Sequence, residues 1–137
     1  MIRYTDSIEN ITAEMLAGFF EGWDKQPSKE THLKILRNSY AVVLAIDDSK
    51  GKVVGFINAI SDGILCAHIP LFEVLPEHRN KGIGTELVGR MLAKLKKFYG
   101  VSLMCDEELQ SFYARLGMSP GTGMNIRSYE RQSGGDV

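Results

Sequence analysis

A glycine-containing turn between a strand-like run and an amphipathic helix constrains this chain more than any other feature. The turn has the sequence RNKGIG at residues 79–84, and it follows a strand-like run from Ile64 to Leu75 that Pro76 closes. The first N–H groups of a helix have no acceptor within the helix, and the helix dipole adds partial positive charge there. Gly82 and Gly84 leave these donors accessible because they carry no Cβ atom. The turn therefore predicts an anion site, and a diphosphate is the ligand that we expect.

The spacing of the glycines excludes two common diphosphate-binding motifs. The dinucleotide motif G-x-G-x-x-G requires a third glycine where this chain has Leu87. A P-loop ends in Gly-Lys-Ser/Thr, whereas Gly84 is followed by Thr85 and Glu86. The remaining pattern, R-x-x-G-x-G directly after a strand, resembles the pyrophosphate loop of the GNAT superfamily of N-acetyltransferases. The resemblance extends from about Val53 to Met118 and more loosely over the rest of the chain.

A second segment, DEELQSFYARLGM at residues 106–118, carries the same resemblance. Members of the superfamily commonly have the pattern N-x-x-A-x-x-F-Y-x-x-x-G-F here. This chain keeps the Phe-Tyr and Leu-Gly pairs and an apolar residue after the glycine. It departs from the pattern at Met118 and at Asp106, where an asparagine that contacts the pantetheine arm is usual. Asp106 is also a suitable cap for the helix that follows it.

The resemblance implies a fold class and an activity. We expect a single α/β (α+β) domain with a mixed, mostly antiparallel sheet, a splayed pair of strands and helices on both faces. This N-acetyltransferase domain would occupy residues 1–132, and a flexible tail residues 133–137. The implied reaction moves an acetyl group from acetyl-CoA to a primary amine of a small molecule or peptide by direct attack on the thioester. One alternative is a non-catalytic acyl-CoA-binding sensor or interaction module. A dinucleotide-binding oxidoreductase fragment is disfavoured because the third glycine is absent.

The strand ahead of the glycine loop is expected to hold the pantetheine arm. In the superfamily this strand splays from its neighbour, and the pantetheine amides bond to it as an added strand would. Pro70 favours such a break, since proline in a strand occurs at edges or bulges, and the gap would open toward residues 101–105. Alternatively, Pro70 ends one strand and a second begins at Leu71. The implied cofactor contacts are Phe72, Glu73, Val74, Arg79, Asn80, Lys81, Gly82, Ile83, Gly84, Thr85, Asp106 and Tyr113.

Tyr113 is the residue that the resemblance implies as the general acid. Acetyl transfer expels a thiolate, and a phenol with a pKa of ~10 near that sulfur can supply a proton. The alternative is a purely structural role, because Leu109, Phe112 and Leu116 share a helix face with Tyr113. Both interpretations stay open at the level of the sequence.

The sequence does not fix the general base. Some relatives use a glutamate on the cofactor strand, but the matching positions here hold His68 and Pro70. Histidine can accept a proton near neutral pH. Glu73 lies on the same strand, although strand alternation turns it away from the face of Phe72 and Val74. The candidates are therefore His68, Glu73, and a water chain, a backbone carbonyl or another residue.

The acceptor pocket is expected between the first helices and the segment 119–123. Trp23, His32 and Arg127 are the aromatic or polar residues that we expect to face it. Each also has an ordinary structural interpretation. Trp23 could pack a loop against the core, His32 could be a hydrogen-bonded helix residue, and Arg127 could be a solvated charge on a strand. The sequence does not identify the amine.

The composition agrees with a small enzyme or binding domain. A chain of 137 residues suits one domain, and its net charge of −1 gives no general attraction to nucleic acid or anionic membranes. No apolar run approaches the ~18 residues that span a bilayer, and signal-peptide features are absent. Neither the two cysteines nor the three histidines have metal-ligand spacing. We expect a cytoplasmic, metal-free monomer or homodimer that binds an amine and neither nucleic acid nor membrane.

Hydrophobic periodicity predicts the remaining elements. From Ile83 to Phe98, apolar residues recur at helical spacing and form one stripe that should pack on the sheet. Ser28 and Gly117 suit the start and the end of two further helices. Strands are predicted over residues 2–5, 40–46, 53–60, 64–75, 101–105 and 124–130, and helices over residues 12–20, 28–36 and 106–116.

Overall fold

The computed structural model describes residues 1–135, which form one open sheet of six strands together with three α-helices. Asp136 and Val137, at the end of the predicted tail, lie outside the described residues. The order along the sheet is β1-β2-β3-β4-β6, and β5 pairs with β3. β4 and β6 are parallel and the other pairs antiparallel, which confirms the predicted sheet type. The elements are β1 (Ile2–Thr5), α1 (Lys29–Arg37), β2 (Ala41–Asp47), β3 (Lys52–Ser61), β4 (Cys66–Ile69), β5 (Phe72–Val74), α2 (Ile83–Lys94), β6 (Gly100–Leu103) and α3 (Gln110–Ala114).

Helices cover both faces of the sheet, as the resemblance implied. Neighbouring residues of a strand point to opposite faces, and Gly55 and Phe56 of β3 show which helix lies on each. A Cβ atom at Gly55 would lie 2.9 Å from the side chain of Leu87 in α2. The ring of Phe56 instead lies 4.4 Å from the ring of His32 in α1, centroid to centroid. Glycine at position 55 is therefore what allows α2 to pack so closely on the sheet.

The predicted strand ahead of the glycine loop is divided into β4 and β5 at Pro70. β4 pairs with β6 as far as Ile69 and Leu103, whereas β5 pairs with β3. Asn58 of β3 bridges the break, because its backbone N–H donates to the carbonyl of Leu71 and its Oδ1 accepts the N–H of Leu71 at 3.1 Å. Pro70 thus ends one strand, and the next strand leaves β6, which creates the predicted splayed pair.

The apolar stripe of α2 fixes the start of that helix against the sheet. Truncating one fully buried aliphatic side chain typically costs about 2–5 kcal/mol, so the stripe holds the helix firmly. The position of the glycine loop therefore depends on core packing behind it. The buried residues of the stripe are Ile83, Leu87, Val88, Met91, Leu95 and Phe98.

The helix predicted over residues 12–20 is wrong beyond its first turn. A 3₁₀ turn forms at Ala13–Leu16, and the chain then leaves the helical conformation. Gly18 and Phe20 have φ angles of +97° and +65°. This left-handed backbone ends a right-handed helix, and only the glycine could have been read as a stop signal.

The other helix ends follow the predicted caps in part. The Ser28 hydroxyl accepts a backbone N–H of the first turn of α1, which confirms that helix start. The helix predicted over residues 106–116 is split into a 3₁₀ turn at Glu107–Leu109 and the short α3. Asp106 precedes this turn in an extended conformation but makes no capping hydrogen bond, so the predicted side-chain cap is wrong. Gly117 has a φ of +98° and ends the segment as predicted.

The last predicted strand, over residues 124–130, does not form within one chain. Residues 119–128 are exposed and have no regular secondary structure; they pair with no strand of residues 1–135 and are followed by a 3₁₀ turn at Tyr129–Arg131. An alternating segment becomes a strand only where a neighbouring edge supplies hydrogen bonds. In the described chain, residues 119–124 and residues 101–105 line one cavity but form no strand ladder with each other. We call residues 119–128 the arm.

Candidate active site

The glycine loop contains backbone N–H donors that have no acceptor in the described part of the chain. Gly82 is the N-cap of α2 with a φ of +83°, and a Cβ atom there would meet no protein atom within 4 Å. Asn80 is also left-handed, with a φ of +62°. Within residues 1–135, no protein acceptor pairs with the N–H groups of residues 82–85. Free donors, the positive end of a helix dipole and open space above Gly82 together suit an anion.

Gly84 has a packing role that the motif does not reveal. A Cβ atom at this position would lie 3.2 Å from the ring of Phe72 and 3.8 Å from a methyl group of Val74. A larger residue at 84 would therefore require the ring of Phe72 or the start of α2 to move by a few tenths of an ångström. The glycine therefore allows a close approach of α2 to β5, the two elements that the resemblance assigns to the cofactor.

Arg79 is engaged by the protein itself. Its Nε donates to the carbonyl of Val74 at 2.9 Å, and its guanidinium lies 3.1 Å from the carboxylate of Glu21. Arg79 therefore links the end of β5 to the loop that follows the first 3₁₀ turn. Lys81, by contrast, is an exposed cation of the glycine loop.

Glu73 is turned away from Phe72 and Val74, as strand alternation predicted. Its carboxylate accepts the N–H of Phe20 at 2.7 Å and the N–H of Glu21 at 3.3 Å. These bonds hold the left-handed turn at Phe20 and tie the loop before α1 to β5. The geometry favours a positioning role for Glu73 over proton abstraction.

His68 and Tyr113 line the same cavity, which has a volume of about 490 Å³. His68 lies on β4, and its Nδ1 is 3.1 Å from the hydroxyl of Ser102 on β6. Burial raises the pKa of Tyr113 to about 12, so its phenol keeps its proton at neutral pH. The cavity thus combines a group able to accept a proton with a group able to donate one. Its other walls include Cys105, Gln110, Met118 and residues 119–124.

The expected acceptor residues do not line this cavity. Trp23 is 37% exposed and its ring lies 4.9 Å from that of Phe20. His32 is only 1% exposed and packs among phenylalanine rings, where burial lowers its pKa to about 4. Arg127 lies in the exposed arm, and Asp106 is exposed beside the cavity wall. Of these residues, Trp23 is the aromatic group at the surface near the start of α1.

Two polar residues in this region were missed in the sequence. Ser102 contacts His68, and Asn58 holds the break between β4 and β5. Asn58 carried a usable signal, because it is a polar residue within an otherwise apolar strand and such residues need partners when buried. Nothing in the sequence marked Ser102, since its contact with His68 depends on the parallel pairing of β4 with β6.

The model of the acetyltransferase (GNAT) family matches residues 8–118. This chain belongs to the GNAT acetyltransferase family. A protein of Deinococcus radiodurans R1 described as a candidate acetyltransferase has a similar structure, with a TM-score of 0.94, 43% identity, and coverage of 99% of this chain and 94% of that one. A GNAT-family acetyltransferase of Streptococcus pneumoniae TIGR4 is similar with a TM-score of 0.75 and 27% identity, over 93% of this chain and 98% of that one. An uncharacterised N-acetyltransferase of Pyropia yezoensis is 28% identical, over 83% of this chain and 68% of its own length.

None of the helices within residues 1–135 has the length and apolar character needed to cross a membrane. In the same part of the chain, no group of three or more His, Cys, Asp or Glu side chains is arranged to hold a metal ion.

Proposed function

We propose that this GNAT acetyltransferase moves the acetyl group of acetyl-CoA to a primary amine of a small molecule or peptide. The observation that carries the proposal is the glycine loop, whose N–H groups at residues 82–85 have no protein acceptor within residues 1–135 and which has open space above Gly82 at the start of a firmly packed helix. Acetyl-CoA has a pyrophosphate that such a loop binds and a pantetheine arm that needs a free strand edge. Both features lie on consecutive elements of this chain.

The residues that would hold acetyl-CoA fall into two groups. The loop from Arg79 to Thr85 would bind the pyrophosphate through backbone N–H groups, with Lys81 adding charge. The edge of β5 that faces away from β3 pairs with no strand in residues 1–135, so Phe72 and Val74 would offer backbone groups to the pantetheine amides. Gly84 allows these two groups to lie close together.

Tyr113 would act as the general acid. The amine nitrogen attacks the thioester carbonyl carbon, the carbon–sulfur bond breaks, and the sulfur leaves with the electron pair. A protonated phenol beside that sulfur supplies the proton that converts the thiolate to a thiol. The raised pKa of about 12 keeps Tyr113 in its donating form over the working pH range.

His68 would act as the general base that takes the proton of the attacking amine. It lines the cavity with Tyr113, and the hydroxyl of Ser102 can orient its ring through Nδ1. Glu73 would act as a positioning residue, because its carboxylate holds the loop that leads to Trp23. Trp23 would contact the acceptor at the surface, and the two free cysteines suit a reducing, cytoplasmic compartment.

Thiol release from acetyl-CoA, measured across polyamines, amino sugars, amino acids and peptide N-termini, tests the proposal. We expect calorimetric binding of acetyl-CoA and turnover with at least one of these amine classes. Binding without turnover for every amine would favour the acyl-CoA sensor. Absence of binding would overturn both interpretations.

A further inference from the structure

His78 is a buried histidine directly before the glycine loop, and it has no role in the proposed chemistry. It is 6% exposed and ends a 3₁₀ turn at Pro76–His78, which follows β5. Its backbone N–H donates to the carbonyl of Leu75 at 2.9 Å. Arg79 and the left-handed Asn80 come next in the chain. The position of His78 therefore determines where the glycine loop begins.

Asp47, the last residue of β2, is the polar partner of the His78 ring. It is 7% exposed, and its Oδ2 lies 3.6 Å from Nε2 of His78. Its Oδ1 accepts the Ser49 hydroxyl at 2.6 Å and the Ser49 backbone N–H at 3.0 Å. The bond from the Ser49 hydroxyl lowers the pKa of Asp47, so this group is a carboxylate at neutral pH. The buried pair thus attaches the start of the glycine loop to the turn between β2 and β3.

The contact with Asp47 is the main polar anchor of the His78 ring. The other ring nitrogen, Nδ1, is buried and makes no hydrogen bond within residues 1–135. The carboxylate of Glu77 lies 3.9 Å from Nδ1, but 62% of this side chain is exposed, so the contact is weak. A ring that is held through one nitrogen loses its fixed orientation when that nitrogen loses its partner. The orientation of His78 therefore depends on Asp47.

The Asp47–His78 pair supports the glycine loop without being able to contact a ligand itself. Both side chains are more than nine-tenths buried, so any effect on binding must pass through the loop. The bond from Nε of Arg79 to the carbonyl of Val74 and the apolar stripe of α2 are the other attachments of this region. Of the three, the Asp47–His78 pair is the one that fixes the chain just before the left-handed residues of the loop.

We propose that Asp47 and His78 are positioning residues that hold the glycine loop in the shape that binds the pyrophosphate of acetyl-CoA. This role rests on the proposed function, because it concerns the same cofactor site. Loss of His78 alone leaves a buried carboxylate without its basic partner, which is more disruptive than loss of both partners. The unpaired carboxylate also adds negative charge to the turn that leads into an anion site. Neutralising Asp47 should therefore restore part of the affinity that is lost with His78.

Calorimetric titration of acetyl-CoA into variants of the 137-residue chain tests the proposal. His78→Leu should weaken the affinity by about ten-fold or more, because leucine fills the space of the ring but cannot pair with Asp47. His78→Gln keeps an N–H donor on that side and should bind within about three-fold of wild type. Adding Asp47→Asn to His78→Leu should recover about three-fold or more of the lost affinity.

Two further variants serve as controls. Asp48→Asn neutralises the neighbouring carboxylate, which pairs with Arg3 at the surface, and should bind acetyl-CoA like wild type. His78→Asn carries the same amide as His78→Gln on a side chain too short to reach Asp47, so it should lose affinity as His78→Leu does. This variant keeps the test available if His78→Leu does not fold, which circular dichroism checks.

Steady-state kinetics separate positioning from a general loss of structure. The KM for acetyl-CoA should follow the calorimetric affinity, while kcat at saturating acetyl-CoA should stay within about three-fold of wild type in every folded variant. Equal affinities for wild type, His78→Asn and His78→Leu would overturn the positioning role and leave the proposed function intact. So would a double variant that binds no more tightly than His78→Leu, or an Asp48→Asn variant that is equally weak. A wild-type chain that binds no acetyl-CoA would overturn both.

Discussion

The carboxylate of Glu73 accepts the backbone N–H of Phe20 at 2.7 Å, although 53 residues separate the two in sequence. Phe20 has a φ of +65°, a conformation that phenylalanine adopts only when the surroundings enforce it. The bond therefore ties the shape of the loop before α1 to the position of β5. We propose that the loop before α1 contacts the amine and that β5 contacts acetyl-CoA. This hydrogen bond therefore connects the two proposed binding regions.

Replacement of Glu73 by glutamine should affect the KM for the amine more than it affects kcat. The amide keeps the shape of the side chain but loses the charge that strengthens its bonds to Phe20 and Glu21. We expect a rise in the KM for the amine, a kcat within about three-fold of wild type, and a loss of about 1–2 kcal/mol in the free energy of unfolding. Steady-state kinetics and urea unfolding measure these quantities. If kcat instead fell by about 100-fold or more while KM stayed unchanged, Glu73 would be the general base.

Replacement of Tyr113 by phenylalanine should lower kcat at least ten-fold and leave acetyl-CoA affinity nearly unchanged. The ring keeps its packing while the proton donor is lost. Tyr4→Phe is the matched control, because burial also raises the pKa of Tyr4, which lies on β1 at the opposite end of the sheet. Single-turnover rates and calorimetry with acetyl-CoA separate the two effects. Equal rates for wild type and Tyr113→Phe would remove this residue from the mechanism.

His32 should make the stability of the fold depend on pH. Its pKa is about 4 in the folded protein and near 6.5 when exposed, so the unfolded chain binds more protons between these values. Its contribution is complete above pH 6.5 and is lost as the pH falls toward 4, by up to roughly 3 kcal/mol. Urea unfolding at pH 7 and pH 4.5 should show a smaller loss for His32→Leu than for wild type. Identical losses would show that His32 is not buried as a neutral group.

Alanine substitutions at two glycines near α2 should change the free energy of unfolding in opposite directions. At Gly55 a Cβ atom would lie 2.9 Å from Leu87, so Gly55→Ala should destabilise the fold by about 1–3 kcal/mol. Gly89 is exposed within α2 and has no neighbour within 4 Å of such an atom, so Gly89→Ala should stabilise it by about 0.5–1 kcal/mol. Thermal or chemical unfolding measures both changes. Similar effects at the two positions would mean that α2 does not pack on β3 as described.

The parts of the fold that the sequence predicted are those set by local patterns. The α2 stripe, the Ser28 cap and the break at Pro70 depend on periodicity, capping chemistry and the missing N–H of proline. The family resemblance added the sheet type and the splayed strand pair, which no local pattern contains. These features together place the glycine loop after the end of β5.

The missed features depend on contacts between distant residues. No local signal predicts that Phe20 takes a left-handed conformation, because Glu73 on another element stabilises it. His32 was assigned to the acceptor surface from its position in a helix, but the rings of Phe19 and Phe56 enclose it. The arm has the alternation of a strand and no partner within residues 1–135 of its own chain.

Calorimetric titration of acetyl-CoA into Gly82→Ala and Gly51→Ala tests the central claim most directly. Both glycines are left-handed, with φ angles of +83° and +60°, and at both a Cβ atom would point into open space. Both variants should therefore lose about 1–2 kcal/mol of stability. Only Gly82→Ala places a methyl group where the loop would bind the pyrophosphate, so its affinity should fall ten-fold or more while Gly51→Ala binds like wild type. Equal affinities for the two variants, or no binding of acetyl-CoA by the wild-type chain, would contradict the account.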